Sequence, residues 1–106
     1  MRMLLRVSCD VVASNSAMKD GTLAKIVQDT IEKLKPEASY FLSMNGKRGC
    51  YIFFDMKDPS QIPDIAEPYF LNLGAEVEFI PVMNADELGK GLEIAAKHSL
   101  AKPSLN

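Results

Sequence analysis

The chain has 106 residues, of which 47% are hydrophobic and 25% charged, and its formal net charge is −2. This length and composition suit one globular domain over 1–106, with a flexible tail at 102–106. The scattered lysines and arginines form no basic patch, which argues against a nucleic-acid partner. No apolar run is long enough to span a membrane, and Arg6 and Asp10 interrupt the start before it resembles a signal peptide. We therefore expect a cytoplasmic protein without a membrane partner.

The first third of the chain has the pattern of a strand and then that of a helix. Residues Met3 to Cys9 predict the first strand, because a short apolar run is interleaved with polar residues. Residues 10–20 are polar and predict a connection with at most a short helical turn around 16–19. From Leu23 to Leu34 the apolar residues recur at spacings of three and four, which predicts an amphipathic helix.

The middle of the chain has the pattern of a β-hairpin. Strands are predicted over Ala38–Met44 and Gly49–Met56. Between them, Asn45-Gly46 readily supplies the positive φ angles of a tight turn. The two strands should therefore be antiparallel partners.

The last part of the chain predicts a helix, a strand and a further helix. Asp58 and the proline after it predict the start of a helix that ends at Gly74. Residues Glu76 to Met83 predict the fourth strand. Asn84 and Glu87 have the spacing of a capping box and predict the start of the last helix.

The predicted order, β-α-β-β-α-β followed by a helix, is the ferredoxin-like pattern of an α+β domain. Its four strands would form one antiparallel sheet in the order 4-1-3-2, with both crossover helices on one face. The strands carry apolar side chains on both sides, most clearly Tyr51 and Phe53 against Ile52 and Phe54. Bare aromatic side chains in such number mark a contact site, so we expect a homodimer through the open face of the sheet. The alternative is that the last helix folds over that face.

Five short phrases are spread along nearly the whole chain. They are Lys19-Asp20-Gly21-Thr22-Leu23, Leu34-Lys35-Pro36-Glu37-Ala38, Asn45-Gly46-Lys47-Arg48, Asp55-Met56-Lys57-Asp58-Pro59-Ser60-Gln61-Ile62-Pro63 and Pro81-Val82-Met83. Together they resemble one uncharacterised family of short bacterial proteins in the dimeric α+β barrel superfamily. That superfamily includes muconolactone isomerase-like and antibiotic-biosynthesis monooxygenase-like proteins. The resemblance implies a ferredoxin-like fold that pairs as a barrel, and it implies no activity, because the superfamily hosts both enzymes and plain binding modules.

Residues typical of catalytic or metal sites are few. Cys9 and Cys50 lie in separate strand-like runs without a CxxC spacing, so we interpret them as buried free thiols. His98 is the only histidine, and a metal site needs several convergent ligands. We interpret His98 as a surface residue near a helix C-terminus. With no glycine-rich phosphate loop either, we expect no metal and no cofactor.

The candidate site is a set of polar residues near the predicted centre of the sheet. Its members are Arg6, Ser8, Tyr40, Tyr51, Asp55 and Glu78. An arginine in a central strand must be paired or must line a cavity. The preferred hypothesis is a structural pair of Arg6 with Glu78 or Asp55, and the alternative is a pocket in which Arg6 binds the carboxylate of a small ligand. Lys47 and Arg48, beside the hairpin turn, are interpreted as solvated charges.

Two classes of function follow from these residues. The first and preferred hypothesis is a non-catalytic homodimeric module that binds a small apolar or carboxylate ligand or acts as an assembly unit. The second is a cofactor-free isomerase or monooxygenase-like enzyme that works in a pocket between sheet and helices. An enzyme of that kind needs an acid or base with a shifted pKa in an enclosed site, for which Asp55, Glu78 and Tyr51 are the candidates.

Overall fold

The structure, a computed structural model, describes residues 1–99. Its elements are β1 (Arg2–Ser8), α1 (Val11–Asp20), α2 (Thr22–Leu34), β2 (Ala38–Met44), β3 (Lys47–Asp55), α3 (Gln61–Leu73), β4 (Glu76–Pro81) and α4 (Ala85–Ser99). The tail predicted at 102–106 lies outside the described residues. Within residues 1–99, no helix has both the length and the apolar character required to cross a bilayer.

The four strands form one antiparallel sheet in the order β2-β3-β1-β4. Read from the opposite edge, this is the order 4-1-3-2, so the α+β class and the strand order are confirmed. The register sets Arg6 of β1 between Tyr51 of β3 and Glu78 of β4, while Tyr51 also faces Tyr40 of β2. β1 and β3 are therefore the central strands, and β2 and β4 are the edges.

The core lies between the sheet and helices α1 to α3. Every second residue of β1 is buried, because alternate side chains of a strand point to opposite faces of the sheet. Leu5 of β1 and Ile52 of β3 are directly opposite each other and fully buried. Ile65 and Leu73 of α3 belong to the same buried cluster. The other face of the sheet, which we call the open face, carries the remaining side chains of each strand.

The prediction of a polar connection over residues 10–20 is wrong, because Val11–Asp20 form helix α1. Asp10 caps this ten-residue helix by accepting a hydrogen bond from the Ala13 backbone N at 2.9 Å. Gly21 ends it in the left-handed conformation, with φ of 85°. Helical periodicity did not reveal α1, because its buried side includes a serine, Ser14, while apolar residues such as Val12 are exposed.

The hairpin turn has the predicted geometry. Asn45 and Gly46 have φ angles of 52° and 76°, which is the left-handed region that this dipeptide tolerates well. Met44 pairs directly with Lys47 across the turn. β3 therefore begins at Lys47, two residues before the predicted start at Gly49.

The starts of the last two helices differ in how well they match the sequence pattern. α3 begins at Gln61 rather than at Asp58, because the Asp58 side chain accepts a hydrogen bond from the Ser60 N at 2.8 Å and so holds a turn before the helix. The capping box of α4 is confirmed. Asn84 Oδ1 accepts from the Glu87 N at 2.9 Å, and Glu87 Oε1 accepts from the Asn84 N at 2.8 Å.

Helix α4 extends away from the rest of the fold. Every described residue in it is exposed, including Leu88 and Leu92, which are 45% and 59% accessible. Its first turn is attached to the sheet by an ion pair between Arg2 Nη1 and Glu87 Oε1. The alternative that the last helix folds over the open face is therefore wrong.

A buried hydrogen bond joins α2 to α3. The hydroxyl oxygens of Thr30 and Tyr69 are 2.6 Å apart, and Thr30 Oγ1 also lies 2.8 Å from the Ile26 carbonyl oxygen. Because the one hydroxyl proton of Thr30 is donated to that carbonyl, Tyr69 donates to Thr30. Burial raises the pKa of Tyr69 to about 12, so the phenol keeps its proton.

Removal of the Tyr69 hydroxyl and removal of the Thr30 hydroxyl should each destabilise the fold, but to different extents. Tyr69→Phe removes the donor and should lower the free energy of unfolding by about 1 kcal/mol. Thr30→Val leaves a buried phenol without an acceptor and should cost more, about 1–3 kcal/mol. The double variant should be less destabilised than the sum of the two. Urea unfolding followed by circular dichroism measures all three, and a larger loss in Tyr69→Phe than in Thr30→Val would contradict the assignment of the donor.

Candidate functional site

Four of the predicted site residues form one row across the open face. The strand register aligns Tyr40, Tyr51, Arg6 and Glu78 from edge to edge of the sheet. Arg6 Nη1 lies 3.2 Å from Glu78 Oε1, and the Arg6 guanidinium carbon lies 5.8 Å from the centre of the Tyr51 ring. The arginine therefore makes an ion pair on one side and a cation–π contact on the other.

The Arg6–Glu78 ion pair contributes little to stability. Its two side chains are 41% and 54% accessible, so water screens the attraction between them. Pairs of this kind are worth about 0–1 kcal/mol. Beside the pair lies an open, mostly polar depression of about 310 Å³, which Ser8 and Glu76 also line. Arg6, Ser8 and Glu78 are thus brought together beside this depression.

Asp55 does not belong to this group. It pairs in register with Arg2, at the end of β3 remote from the hairpin turn. Its carboxylate contacts the N-terminal amine of Met1 at 2.7 Å and the ammonium of Lys57. The hydrogen bonds and charges of Lys57 and the N-terminus lower the pKa of Asp55 to about 2. Asp55 is therefore an exposed carboxylate with two cationic partners, and the alternative pairing of Arg6 with Asp55 is not formed.

The helix side of the sheet holds a second cavity, which the sequence analysis did not identify. It is a groove of about 290 Å³ between α2 and the β2–β3 hairpin. Leu23 and Val27 of α2 line one wall, Phe41 of β2 lines the other, and the thiols of Cys9 and Cys50 lie along its floor. The groove exists because β2 is an edge strand that α2 only partly covers, so Phe41 stays 56% accessible.

Arg48 lies at this groove. The interpretation of Arg48 as a solvated hairpin charge is wrong, because its side chain binds α1. Its Nη1 donates to Ser14 Oγ at 2.7 Å and to Asn15 Oδ1 at 2.9 Å, both in α1. Ser14 is fully buried, and Arg48 itself is half-buried. Within residues 1–99, no carboxylate lies within ion-pair distance, 4.0 Å, of this guanidinium. One signal of this position was present in the sequence: Arg48 and Cys50 are two residues apart in a strand and so share a face.

The two cysteines are neighbours in the fold and are both free thiols. Val7 pairs with Cys50, and the Cys9 N donates to the Arg48 carbonyl at 2.8 Å, so Cys9, the residue directly after β1, lies beside the strand that carries Cys50. Burial raises the pKa of Cys50 to about 12 and also raises that of Cys9, where the nearby Arg48 charge opposes the effect. Both thiols are therefore protonated and weakly nucleophilic at neutral pH.

His98 and the acidic residues within residues 1–99 remain to be considered as metal ligands. His98 is exposed in the last turn of α4, as predicted. In the described part of the chain, no three residues among His, Cys, Asp and Glu cluster closely enough to hold a metal ion. The chain matches no protein-family model and no curated protein.

The two cations beside Asp55 predict a measurable titration. A carboxyl-detected NMR titration should give a pKa of about 2 for Asp55. Lys57→Met should move that pKa upward, toward the ordinary value of 3.8, because one cation is lost. Lys47→Met, which removes the same charge at the other end of β3, should leave it unchanged. Because the folded pKa is the lower one, the stabilisation is present above about pH 4 and is lost as the pH falls toward 2. A midpoint near 3.8 in the unmodified protein would contradict the contacts described.

Proposed function

We propose that this chain is a non-catalytic homodimeric module that binds a small molecule or serves as an assembly unit, and that two copies meet through the open face of the sheet. The observation that carries the proposal is that no helix within residues 1–99 covers this face, although it bears large apolar side chains. Tyr40 is 64% and Leu42 is 39% accessible there. Apolar surface left bare in this way marks a contact site.

The arrangement of the open face supports pairing with an identical copy. One row across the sheet is wholly apolar, with Ala38, Phe53, Leu4 and Ile80 aligned from edge to edge. The adjacent row carries Arg6 next to Glu78. A two-fold interface brings the same patch of both copies together, so the apolar rows can cover each other. Each arginine can then face the partner's glutamate.

Helix α4 gives a second reason for a partner surface. An isolated helix of about 15 residues is marginal in water, and Gly89 and Gly91 weaken this one further. Its apolar residues, among them Leu88 and Leu92 one turn apart, lack a buried surface in the protomer. Burial of this stripe against a second copy would stabilise both the helix and the dimer.

The proposal includes membership of the dimeric α+β barrel superfamily and of the family of short bacterial proteins that the chain resembles. The confirmed strand order supports this, because the superfamily is built from ferredoxin-like sheets with one open face. It also includes a cytoplasmic location. Cys9 and Cys50 lie side by side as free thiols, which suits a reducing compartment.

The positions of the titratable groups favour the module over the isomerase or monooxygenase-like enzyme. Catalysis by a carboxylic acid or base calls for an enclosed group with a pKa near neutrality. Glu78 is exposed and bound to Arg6, and Asp55 is exposed with a pKa lowered to about 2. Both belong to the open face, whereas the apolar groove lies on the helix side.

A charged substitution at the centre of the apolar row tests the interface. Light scattering after size-exclusion chromatography should give twice the protomer mass at micromolar concentration. Leu4→Glu should weaken the dimer at least about a hundredfold, because an unpaired carboxylate would be buried between the sheets. Leu71→Glu, at a residue of α3 that is 78% accessible, is the matched control and should stay dimeric.

Circular dichroism must show that both variants remain folded. A monomeric wild-type protein at micromolar concentration would refute the dimer, and an unchanged dimer in Leu4→Glu would refute this interface.

A further inference from the structure

We propose that the edge strand β2 is a second interface of this chain, through which two copies join edge to edge into one eight-stranded sheet. The two β2 strands would run antiparallel, with Phe41 of each copy at the two-fold axis. This goes beyond the proposed open-face dimer, because it uses the edge of the sheet. Its two-fold axis is perpendicular to the sheet, whereas the axis of a face-to-face pair lies between the two sheets. Either interface can therefore form without the other.

β2 lacks the features that usually protect the edge of a sheet. Within residues 1–99, its one neighbour in the sheet is β3. The sequence of β2 contains no charged residue and no proline. The opposite edge, β4, carries Glu76 and Glu78 and ends at Pro81. Because charges and prolines hinder pairing with another chain, β2 is the edge that is open to a further strand.

The hairpin register shows which backbone groups of β2 point outward. The Arg48 carbonyl of β3 points toward β1, where it accepts a hydrogen bond from the Cys9 N at 2.8 Å. Ser43 pairs with Arg48, so its own N–H and C=O point away from β3. The pattern repeats at every second residue of an antiparallel strand, so the same holds for Phe41 and Ser39. Each of these three residues offers one donor and one acceptor to a further strand.

An antiparallel copy of β2 matches these groups and brings compatible side chains together. Phe41 is the middle residue of the strand, so a two-fold axis at this position overlaps the two strands completely. Phe41 then faces its own counterpart, and Ser39 faces Ser43, each as a hydrogen-bonded pair. On the other side of the strand, Tyr40 faces Leu42. Aromatic and serine pairs of this kind stabilise antiparallel strands, and no charge faces another charge. The complementarity of β2 to itself favours a second copy over an unrelated strand.

The apolar surface beside β2 gives a second reason for a copy at this edge. Phe41 is 56% accessible and forms one wall of the groove of about 290 Å³ next to α2. The surface of this groove is almost wholly apolar, and the Arg48 guanidinium is bound to Ser14 and Asn15 of α1. An identical strand at the edge would bring a second Phe41 ring against the first and remove apolar surface of both copies from water.

The edge interface is small, because each copy contributes one strand of seven residues. Interfaces of such limited area are weak, so we expect edge pairing at roughly hundreds of micromolar, above the micromolar range of the open-face dimer. Sedimentation velocity of the wild-type protein between about 10 µM and about 1 mM should show the mass of the particle double over this range. A mass that stays constant over the whole range would refute edge pairing.

Hydrogen exchange of the backbone amides, measured by NMR, locates the contact. The N–H groups of Ser39, Phe41 and Ser43 should exchange at least about twofold more slowly at the upper end of this concentration range, because they donate to the second copy. The N–H groups of Tyr40 and Leu42 already bond to β3 and should change less. An open-face contact does not produce this alternation. Unchanged exchange at Phe41 in a sample whose mass has doubled would refute the edge interface.

A lysine at the two-fold axis tests the proposed register. Phe41→Lys should weaken edge pairing at least about tenfold, because two like charges would face each other and the aromatic contact is lost. Phe70→Lys is the matched control. It makes the same change at a phenylalanine of α3 that is 44% accessible, and it should associate as the wild type does. Circular dichroism must show that both variants are folded, and if Phe41→Lys is not, the exchange pattern of the wild-type protein decides. Unchanged association in a folded Phe41→Lys protein would refute the proposal.

The starting mass distinguishes failure of the edge from failure of the open face. A wild-type protein that passes from dimer to tetramer, with slowed exchange at Phe41, supports both interfaces. One that passes from monomer to dimer, with the same slowed exchange, refutes the open-face dimer and leaves the edge standing. One that stays a dimer at every concentration, without slowed exchange in β2, refutes the edge and leaves the open face standing.

Discussion

Every strand in this sheet must place alternate side chains on a face that the helices described within residues 1–99 do not cover. On the helix side this alternation packs Leu5 and Ile52 into a dry core. On the other side it presents an apolar row centred on Leu4 and Phe53, next to a row that contains Arg6. The two rows cannot be changed independently of the core, because a shift of one residue in register would exchange the two faces. The open face is therefore a fixed consequence of the strand pattern.

The edge strand β2 also leaves apolar side chains accessible on the helix side of the sheet. Because α2 covers it incompletely, β2 exposes three consecutive large apolar residues, Tyr40, Phe41 and Leu42, on alternating faces. Sheets that avoid non-specific pairing usually protect such an edge with charges or prolines. Here one face of the strand continues the apolar rows of the open face, and the other forms a wall of the groove. One exposed strand thus contributes to both candidate surfaces.

The three arginines of the chain show how position decides the role of one residue type. Arg2 binds Glu37 and Glu87 and links β1 to the start of α4. Arg6 is paired with a glutamate on the neighbouring strand. Arg48 is held by neutral oxygens of α1, so its charge is not neutralised in the described part of the chain. The same residue type therefore links β1 to α4, forms a cross-strand ion pair or anchors the hairpin to α1, according to its position.

Local chemistry was enough to predict the strands, the hairpin, α2 and the start of α4. Alternation, helical period, the Asn45-Gly46 turn and the capping box depend on residues close together in the chain. The strand order was predicted because the resulting succession of elements is the ferredoxin-like pattern. Tertiary structure alone decided the rest. Helix α1 forms although its buried side includes a serine, α4 extends away although it has an apolar stripe, and Arg48 turns toward α1 rather than to solvent. Each of these outcomes depends on contacts between residues distant in sequence, or on their absence, and periodicity along one segment carries no information about such contacts.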